Sequence, residues 1–252
     1  MRIIRVRTVG WICVLACSGG MLATAAGEEA TAQGRAPTGK WVRSATVGLN
    51  ATSGNSDTLM VGASAEAEKE TLDDLWRFTV GGAYGETEGD KTAENAKAVG
   101  RYERNLGERM FVSGTGEIGY DSIADVDYRI ILSPALGYYL IRNERMSLSV
   151  EAGPSYVFER VGGVDDDYLA LRLADRFEYK LSENAQIWQA TEYIAEFSDF
   201  DNFLLKSEVG AEALLRANLS LSLIVQHTYD NVPAPGLDES DLSILTALSF
   251  KF

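Results

Sequence analysis

The chain of 252 residues has a single histidine, His227. Lipid hydrolysis on a strand needs a histidine base and a serine nucleophile two positions apart, so that both side chains share a face. The run here is His227-Thr228-Tyr229, with no serine at that spacing, so the sequence predicts no enzyme and His227 reads as a polar residue near the end of its strand. The only cysteines, Cys13 and Cys17, sit in the first segment, and the rest of the chain can build no disulfide, zinc site or thiol nucleophile. Carboxylates are plentiful: Asp165, Asp166 and Asp167 in one run, Asp121, Asp125 and Asp127 in another, with further groups at Glu86, Glu88 and Asp90 and at Asp199 and Asp201. Hard divalent cations take such oxygens, which makes these runs candidate cation sites. None has the ligand spacing of a defined calcium loop, and the competing reading is a solvated, mutually repelling surface. No residue pattern calls for a cofactor.

The net charge is -14. That excludes nucleic acid and docking on anionic lipid through basic patches. Both signs nevertheless recur at alternate positions along the chain: Arg77, Lys97, Arg101, Arg129, Arg172, Arg176, Lys180 and Lys206 against Glu66, Glu68, Glu103, Glu117, Glu151, Glu178, Glu208 and Glu212. Brought around one enclosed space, they could line a narrow polar pore that selects small ions or solutes. They could equally pair and fill it.

Those charges need strands to hold them. From Trp41 onward apolar and polar residues alternate with a period of two: Val47 and Leu49 against Thr46 and Gly48, Trp76, Phe78 and Val80 against Arg77 and Thr79, Leu219, Leu221, Leu223 and Val225 against Ser220, Ser222 and Gln226. The last segment, Asp241 to Phe252, sets Leu242, Ile244, Leu248, Phe250 and Phe252 on one face, and the chain is expected to close on it. About twelve such segments are present. Short connections (71–74, 105–108, 142–145, 182–185, 216–218) alternate with longer acidic or Gly-rich ones (53–57, 86–91, 121–127, 160–167, 198–202, 230–241). This is the pattern of an all-β, antiparallel up-and-down transmembrane barrel of about twelve strands, with aromatic residues near strand ends as interfacial girdles. A barrel of that size is too wide to fill with Ala, Leu and Val, so the charged face is expected inside and the apolar face against lipid. The alternative is a secreted soluble barrel that binds an apolar ligand inside, with the two faces exchanged.

Two places fit poorly. Asp175 falls on the apolar face between Leu173 and Phe177, and residues 186–198 are apolar on both faces, which a bulge would explain. After the leader no uncharged apolar stretch reaches the roughly 18 residues of a spanning helix.

Residues 1–25 have the form of an export signal: Arg2, Arg5 and Arg7, an apolar run from Val9 to Ala16, and Ala23-Thr24-Ala25 at the cleavage point. Removing three arginines and no acid takes the charge from -14 to -17. A second reading makes Val14-Leu15-Ala16-Cys17 a lipoprotein box with Cys17 acylated. Residues 26–40 form a flexible lead-in and residues 41–252 the barrel.

The apolar last strand ending on Phe250 and Phe252 resembles the terminal signature of bacterial outer-membrane barrels, which their assembly machinery reads. The loop Ser53-Gly54-Asn55-Ser56-Asp57, with Gly119-Tyr120-Asp121, Asp127-Tyr128-Arg129 and Gly137-Tyr138, resembles the YdiY-like outer-membrane proteins, a family of unknown function often labelled salt-induced. The resemblance implies the cell outer membrane, contact with its lipid and lipopolysaccharide, and no established activity. Within that setting the acidic loops would hold divalent cations against lipopolysaccharide phosphates. Read from the residues alone, Gly54-Asn55 is a tight-turn pair, because both types tolerate positive φ.

Overall fold

The computed structural model describes residues 39–52 and 58–252. Residues 1–25, most of the lead-in, and the loop Ser53 to Asp57 lie outside the described residues. Twelve strands follow one another: β1 (Trp41–Thr52), β2 (Thr58–Glu70), β3 (Asp74–Thr87), β4 (Asp90–Asn105), β5 (Met110–Asp121), β6 (Val126–Arg142), β7 (Met146–Val161), β8 (Val164–Ser182), β9 (Ala185–Glu196), β10 (Phe203–Arg216), β11 (Leu219–Asp230) and β12 (Ser240–Lys251). Each pairs antiparallel with its sequence neighbours, and β1 closes on β12 through pairs such as Ala45 with Phe250 and Val47 with Leu248. Closure leaves no edge strand, so every ladder has a partner on both sides.

Alternation decides which face is which. Leu49 is 64% exposed, Leu223 51% and Phe78 48%, whereas Arg77, Arg172 and Glu212 are 5%, 7% and 8% exposed. The apolar rows face outward and the charges face the lumen, the reverse of what a soluble barrel around an apolar ligand requires. Aromatic rings gather at both rims. Trp41, Phe78, Trp76 and Tyr102 form a continuous run at the end that carries β1's start, and Tyr193, Phe203 and Tyr229 form another toward the opposite end. Such belts suit the boundary between hydrocarbon and water. The fold is therefore a transmembrane β-barrel. Phe250 and Phe252 lie stacked, 6.2 Å apart, on its outer surface.

Two expectations need correction. Residues 86–91 and 160–167 are not open loops. Glu88 and Gly89 (φ 54 and 92) and Gly162 and Gly163 (φ 59 and 75) take the left-handed conformation of a two-residue hairpin turn, and the ladders run on to them. Nor does β9 contain a bulge. Its pairing with β10 is unbroken from Ala185–Ala213 to Ala195–Phe203, and the irregularity lies beside the turn, at Lys180/Ser182. Trp188 and Ile194 simply face the lumen. The interior therefore carries apolar side chains among its charges. Ile131, Val157, Ala170 and Ile194 make one dry island, and Trp188 with Ile224 and Leu245 makes another.

Glycine makes room for the inward rings. A Cβ at Gly210 would overlap the Trp188 ring, and one at Gly137 would overlap Phe111, which also packs on Tyr139 at 4.9 Å. Elsewhere Pro134 offers no N–H, the β6–β7 ladder opens between Leu132–Tyr156 and Leu136–Ala152, and a Ser133–Ser155 hydroxyl bond of 2.5 Å spans the gap.

Gly210→Leu and Gly137→Leu should each cost about 1–3 kcal/mol by overpacking, read as a lower urea midpoint of the folded, heat-modifiable band on gels. Gly114→Ala, with open space around the new methyl, should leave that midpoint unchanged.

Candidate functional site: the charged lumen

The lumen is organised as successive levels of charge. At the end where β7 turns into β8, Arg129 of β6 pairs with Glu159 of β7 and reaches across to Asp230 of β11 at 3.3 Å. Tyr168 donates to Glu159 at 3.1 Å. Over this pair lies the connection 231–239: Ala234 is buried, a Cβ on Gly162 would come within 3.3 Å of Pro235, and Asn231 donates to the Asp201 carbonyl at 2.6 Å. The connection between β11 and β12 thus folds over the mouth onto the turn that follows β7.

Midway, seven side chains of alternating sign form a continuous chain. It leaves β4 at Lys97, which lies 2.9 Å from Glu117 of β5, and Glu117 is held on its other side by Lys206 of β10 at 3.0 Å. Lys206 approaches Glu192 of β9 at 3.8 Å, and Glu192 takes the Arg172 guanidinium of β8. Arg172 pairs at 3.2 Å with Glu151 of β7, which pairs at 2.5 Å with Arg101, returning to β4. The chain of contacts therefore links six strands, and the Glu117–Lys206 and Arg101–Glu151 bonds cross open lumen between strands that are not neighbours. Ser113 donates to Glu151 at 3.0 Å, and Arg101 also binds Glu103, which accepts from Tyr139. Beside the chain is a cavity of about 180 Å³ lined by Arg77, Lys97, Arg101, Arg176, Lys206 and Glu208 among others.

The geometry explains the stability of so many enclosed charges. Each carboxylate of the chain has a cation on both sides, so none is left uncompensated in a space poorer in water than bulk. Toward the other end Arg77 pairs with Glu68 at 2.8 Å, Arg176 with Glu178 at 2.7 Å and Lys251 with Glu212 at 3.9 Å. Glu208 instead accepts from neutral donors, the Trp188 indole at 2.6 Å and the Gln226 amide at 2.7 Å.

The sixteen charges named from sequence, among them Arg77, Arg101, Arg129, Arg172, Arg176, Lys206, Glu117, Glu151, Glu208 and Glu212, lie on the inward positions of their strands. Six of them, Lys97, Arg101, Glu117, Glu151, Arg172 and Lys206, stand in the seven-member chain. Three participants, Glu192, Glu159 and Asp230, escaped the sequence reading. Glu192 shares its face with Trp188 and Ile194, which masked it, while Glu159 and Asp230 lie near the ends of β7 and β11, Asp230 in a stretch that reads as a connection. The acidic runs serve the loops. Asp121 accepts from the Ile123 and Ala124 amides (2.9 and 3.0 Å) and from Asn95 at 3.3 Å, and Asp125 takes a positive φ of 53. Asp127 and Asp165 flank Arg160 at 3.1 and 3.7 Å, Asp166 accepts the Asp167 amide, and Asp167 accepts the Tyr156 hydroxyl. Among the described residues no three of His, Cys, Asp or Glu are grouped to hold a metal ion. The residues of the loop Ser53 to Asp57 lie outside the described set.

His227 holds a surprise for the sequence reading. On the outer surface its Nε2 lies 2.9 Å from the Ser240 hydroxyl, so the serine missing at two positions along β11 arrives from β12. Among the described residues no acid is bonded to the ring's other nitrogen, so the dyad lacks an orienting group.

With the fold and lumen in view, the class is that of a membrane-spanning barrel with a charged interior. The chain belongs to the family described as "Protein of unknown function, DUF481", whose model matches residues 45–252. No curated protein matches. Among solved structures it is similar to the NanC porin (TM-score 0.55, 10% identity, 84% of this chain and 100% of that one). It is also similar to an outer membrane channel from Pseudomonas putida F1 (TM-score 0.54, 9% identity, 87% and 98%). The translocator domain of the autotransporter NalP from Neisseria meningitidis gives a TM-score of 0.50 at 11% identity, covering 84% and 87%. At these identities the likeness is one of fold.

Glu117→Gln and Lys206→Met should each destabilise the barrel by about 1–3 kcal/mol by stranding a charge. The double variant should lose less than the sum, which urea titration in lipid vesicles with a double-mutant cycle would measure.

Proposed function

We propose that this protein is a non-enzymatic outer-membrane barrel that forms a narrow channel for small ions and solutes, constricted by the seven-member charge chain. The observation that carries this reading is the Lys97–Glu117–Lys206 triad, which ties β4 and β5 to β10 and leaves a cavity of only about 180 Å³ beside it. An entering ion need not force apart an apolar plug. It exchanges with side chains already paired, a low barrier when each new contact replaces an old one. A similar fold in a solved porin and an outer membrane channel agrees with this reading. The apolar outer wall would contact lipid and the acyl chains of lipopolysaccharide, and the terminal Phe250–Phe252 strand would be read by the barrel assembly machinery. Residues 1–25 would direct export and be cleaved off after residue 25. Divalent cations between the rim carboxylates and lipopolysaccharide phosphates would complete the outer surface.

The link to salt stress belongs to the same chain of contacts. Raising ionic strength to about 1 M shortens the screening length to about 3 Å, comparable to these ion-pair distances. A wetted lumen would then loosen.

Purified protein in planar bilayers should show small, discrete conductance steps. Glu117→Ala with Lys206→Ala should enlarge them several-fold, and conductance relative to bulk conductivity should be greater at high salt. Absence of steps in both the native protein and the double variant would leave a purely structural envelope component.

A further inference from the structure

Along the lipid-facing wall of β1 to β6 runs a groove of about 640 Å³, bounded by Phe78, Ile118 and Leu132. Its floor is made by outward positions that bear a methyl group or nothing, Ala67, Ala98, Gly100 and Gly116. Register gives the groove a direction. Arg43 pairs with Ala67, Ala67 with Phe78, Phe78 with Gly100, Gly100 with Gly116 and Gly116 with Leu132, so one cross-strand row follows it from β1 to β6. Such a row does not keep to one depth, because the strands it crosses are tilted. Arg43 lies near the start of β1, at the rim of short turns where the Trp41 and Phe78 rings meet, whereas Leu132 lies near the middle of β6. The five interstrand spacings from β1 to β6, each about 4.8 Å, make about 24 Å of wall, and a strand tilt of about 40° turns that into a climb of about 15 Å. That is half of a hydrocarbon core about 30 Å thick. The groove thus begins at the headgroups of one leaflet and ends where the acyl chains of that leaflet end.

Its rim end is cationic. Arg43 is exposed on the outer surface, and Lys69 of β2, paired with Trp41, stands on the same face one diagonal away. Among the described residues neither side chain makes an ion pair. The Arg43 guanidinium offers a planar fork that matches a phosphate, and Lys69 adds a point charge beside it. The acidic runs behind the net charge of -14 lie at the opposite rim, so net charge is no guide to what this rim can bind. Charge at the headgroup end and an apolar floor for the length of one leaflet together describe the two parts of a phospholipid.

We infer that this groove binds one anionic phospholipid, its phosphate between Arg43 and Lys69 and one acyl chain laid over Ala67, Gly100 and Gly116 toward Leu132. Short turns face the periplasm in outer-membrane barrels, which makes the lipid one of the inner, phospholipid leaflet. The inference rests on the membrane placement of the barrel and is independent of conduction. Native mass spectrometry of the purified protein in mild detergent, with phosphatidylglycerol and phosphatidylcholine of equal chain length supplied in equal amounts, reads bound lipid and the number of chains together. One phosphatidylglycerol per chain should be retained, at least ten-fold over phosphatidylcholine, whose choline cation offsets its phosphate. Arg43→Ala with Lys69→Ala should lower retention to the phosphatidylcholine level. Ala67→Leu with Ala98→Leu, which fills the floor and keeps both cations, should do the same, while Arg216→Ala, at the same rim but outside the groove, should change nothing. The heat-modifiable gel band checks that each variant is folded. Equal retention of the two lipids by the native chain, folded groove variants that bind as it does, stronger retention of added lipid A than of phosphatidylglycerol, or paired chains carrying no lipid would each overturn the assignment.

Discussion

Everything in this molecule depends on ring closure of the backbone hydrogen-bond ladder. In hydrocarbon an unpaired N–H or C=O costs several kcal/mol, so a sheet with two free edges could not remain there. The β1–β12 pairs remove both edges at once. The Phe252 amide extends the seam by donating to the Arg43 carbonyl at 2.9 Å. Once the ring is closed, strand alternation leaves no choice: one side of every strand meets lipid and the other meets an enclosed space about as wide as two long side chains laid end to end.

That width gives the charged interior its form. Glu117 and Lys206 come from β5 and β10, nearly opposite in the ring, yet meet at 3.0 Å because both side chains are long and extend toward the axis. Shorter residues at these positions would leave a water-filled channel. Wholly apolar ones could not fill the section. The barrel instead carries an intermediate solution, with dry islands at Ile131, Val157, Ala170 and Ile194 and at Trp188 and Ile224 separating the charge levels. Aromatic rings lie flat on glycine from the neighbouring strand, which lets a Trp face the lumen without blocking the pairs beside it.

The outer wall shows the same economy with one departure. Apolar rows cover it, and the Asp175–Thr191–Ser207–His227 row breaks them over a third of the circumference. A row of this kind arises from register, since each of the four residues is an isolated polar position in its own strand.

The strand count, the alternation of short and long connections and the lumen-facing positions of residues such as Arg172 and Glu212 were legible in the chain, because a period of two in side-chain direction is a local property. The ends of β3 and β7 were less so, because Glu88-Gly89 and Gly162-Gly163 can serve either a loose loop or a tight turn. Only the tertiary structure decided which charges meet. Glu117 and Lys206 are 89 positions apart and Arg129 and Asp230 are 101 apart, and their contact depends on ring size and shear, which no single strand encodes. The same holds for His227 with Ser240 and for the polar row. Sequence set the face on which each side chain stands; closure of the ring set what stands opposite and beside it.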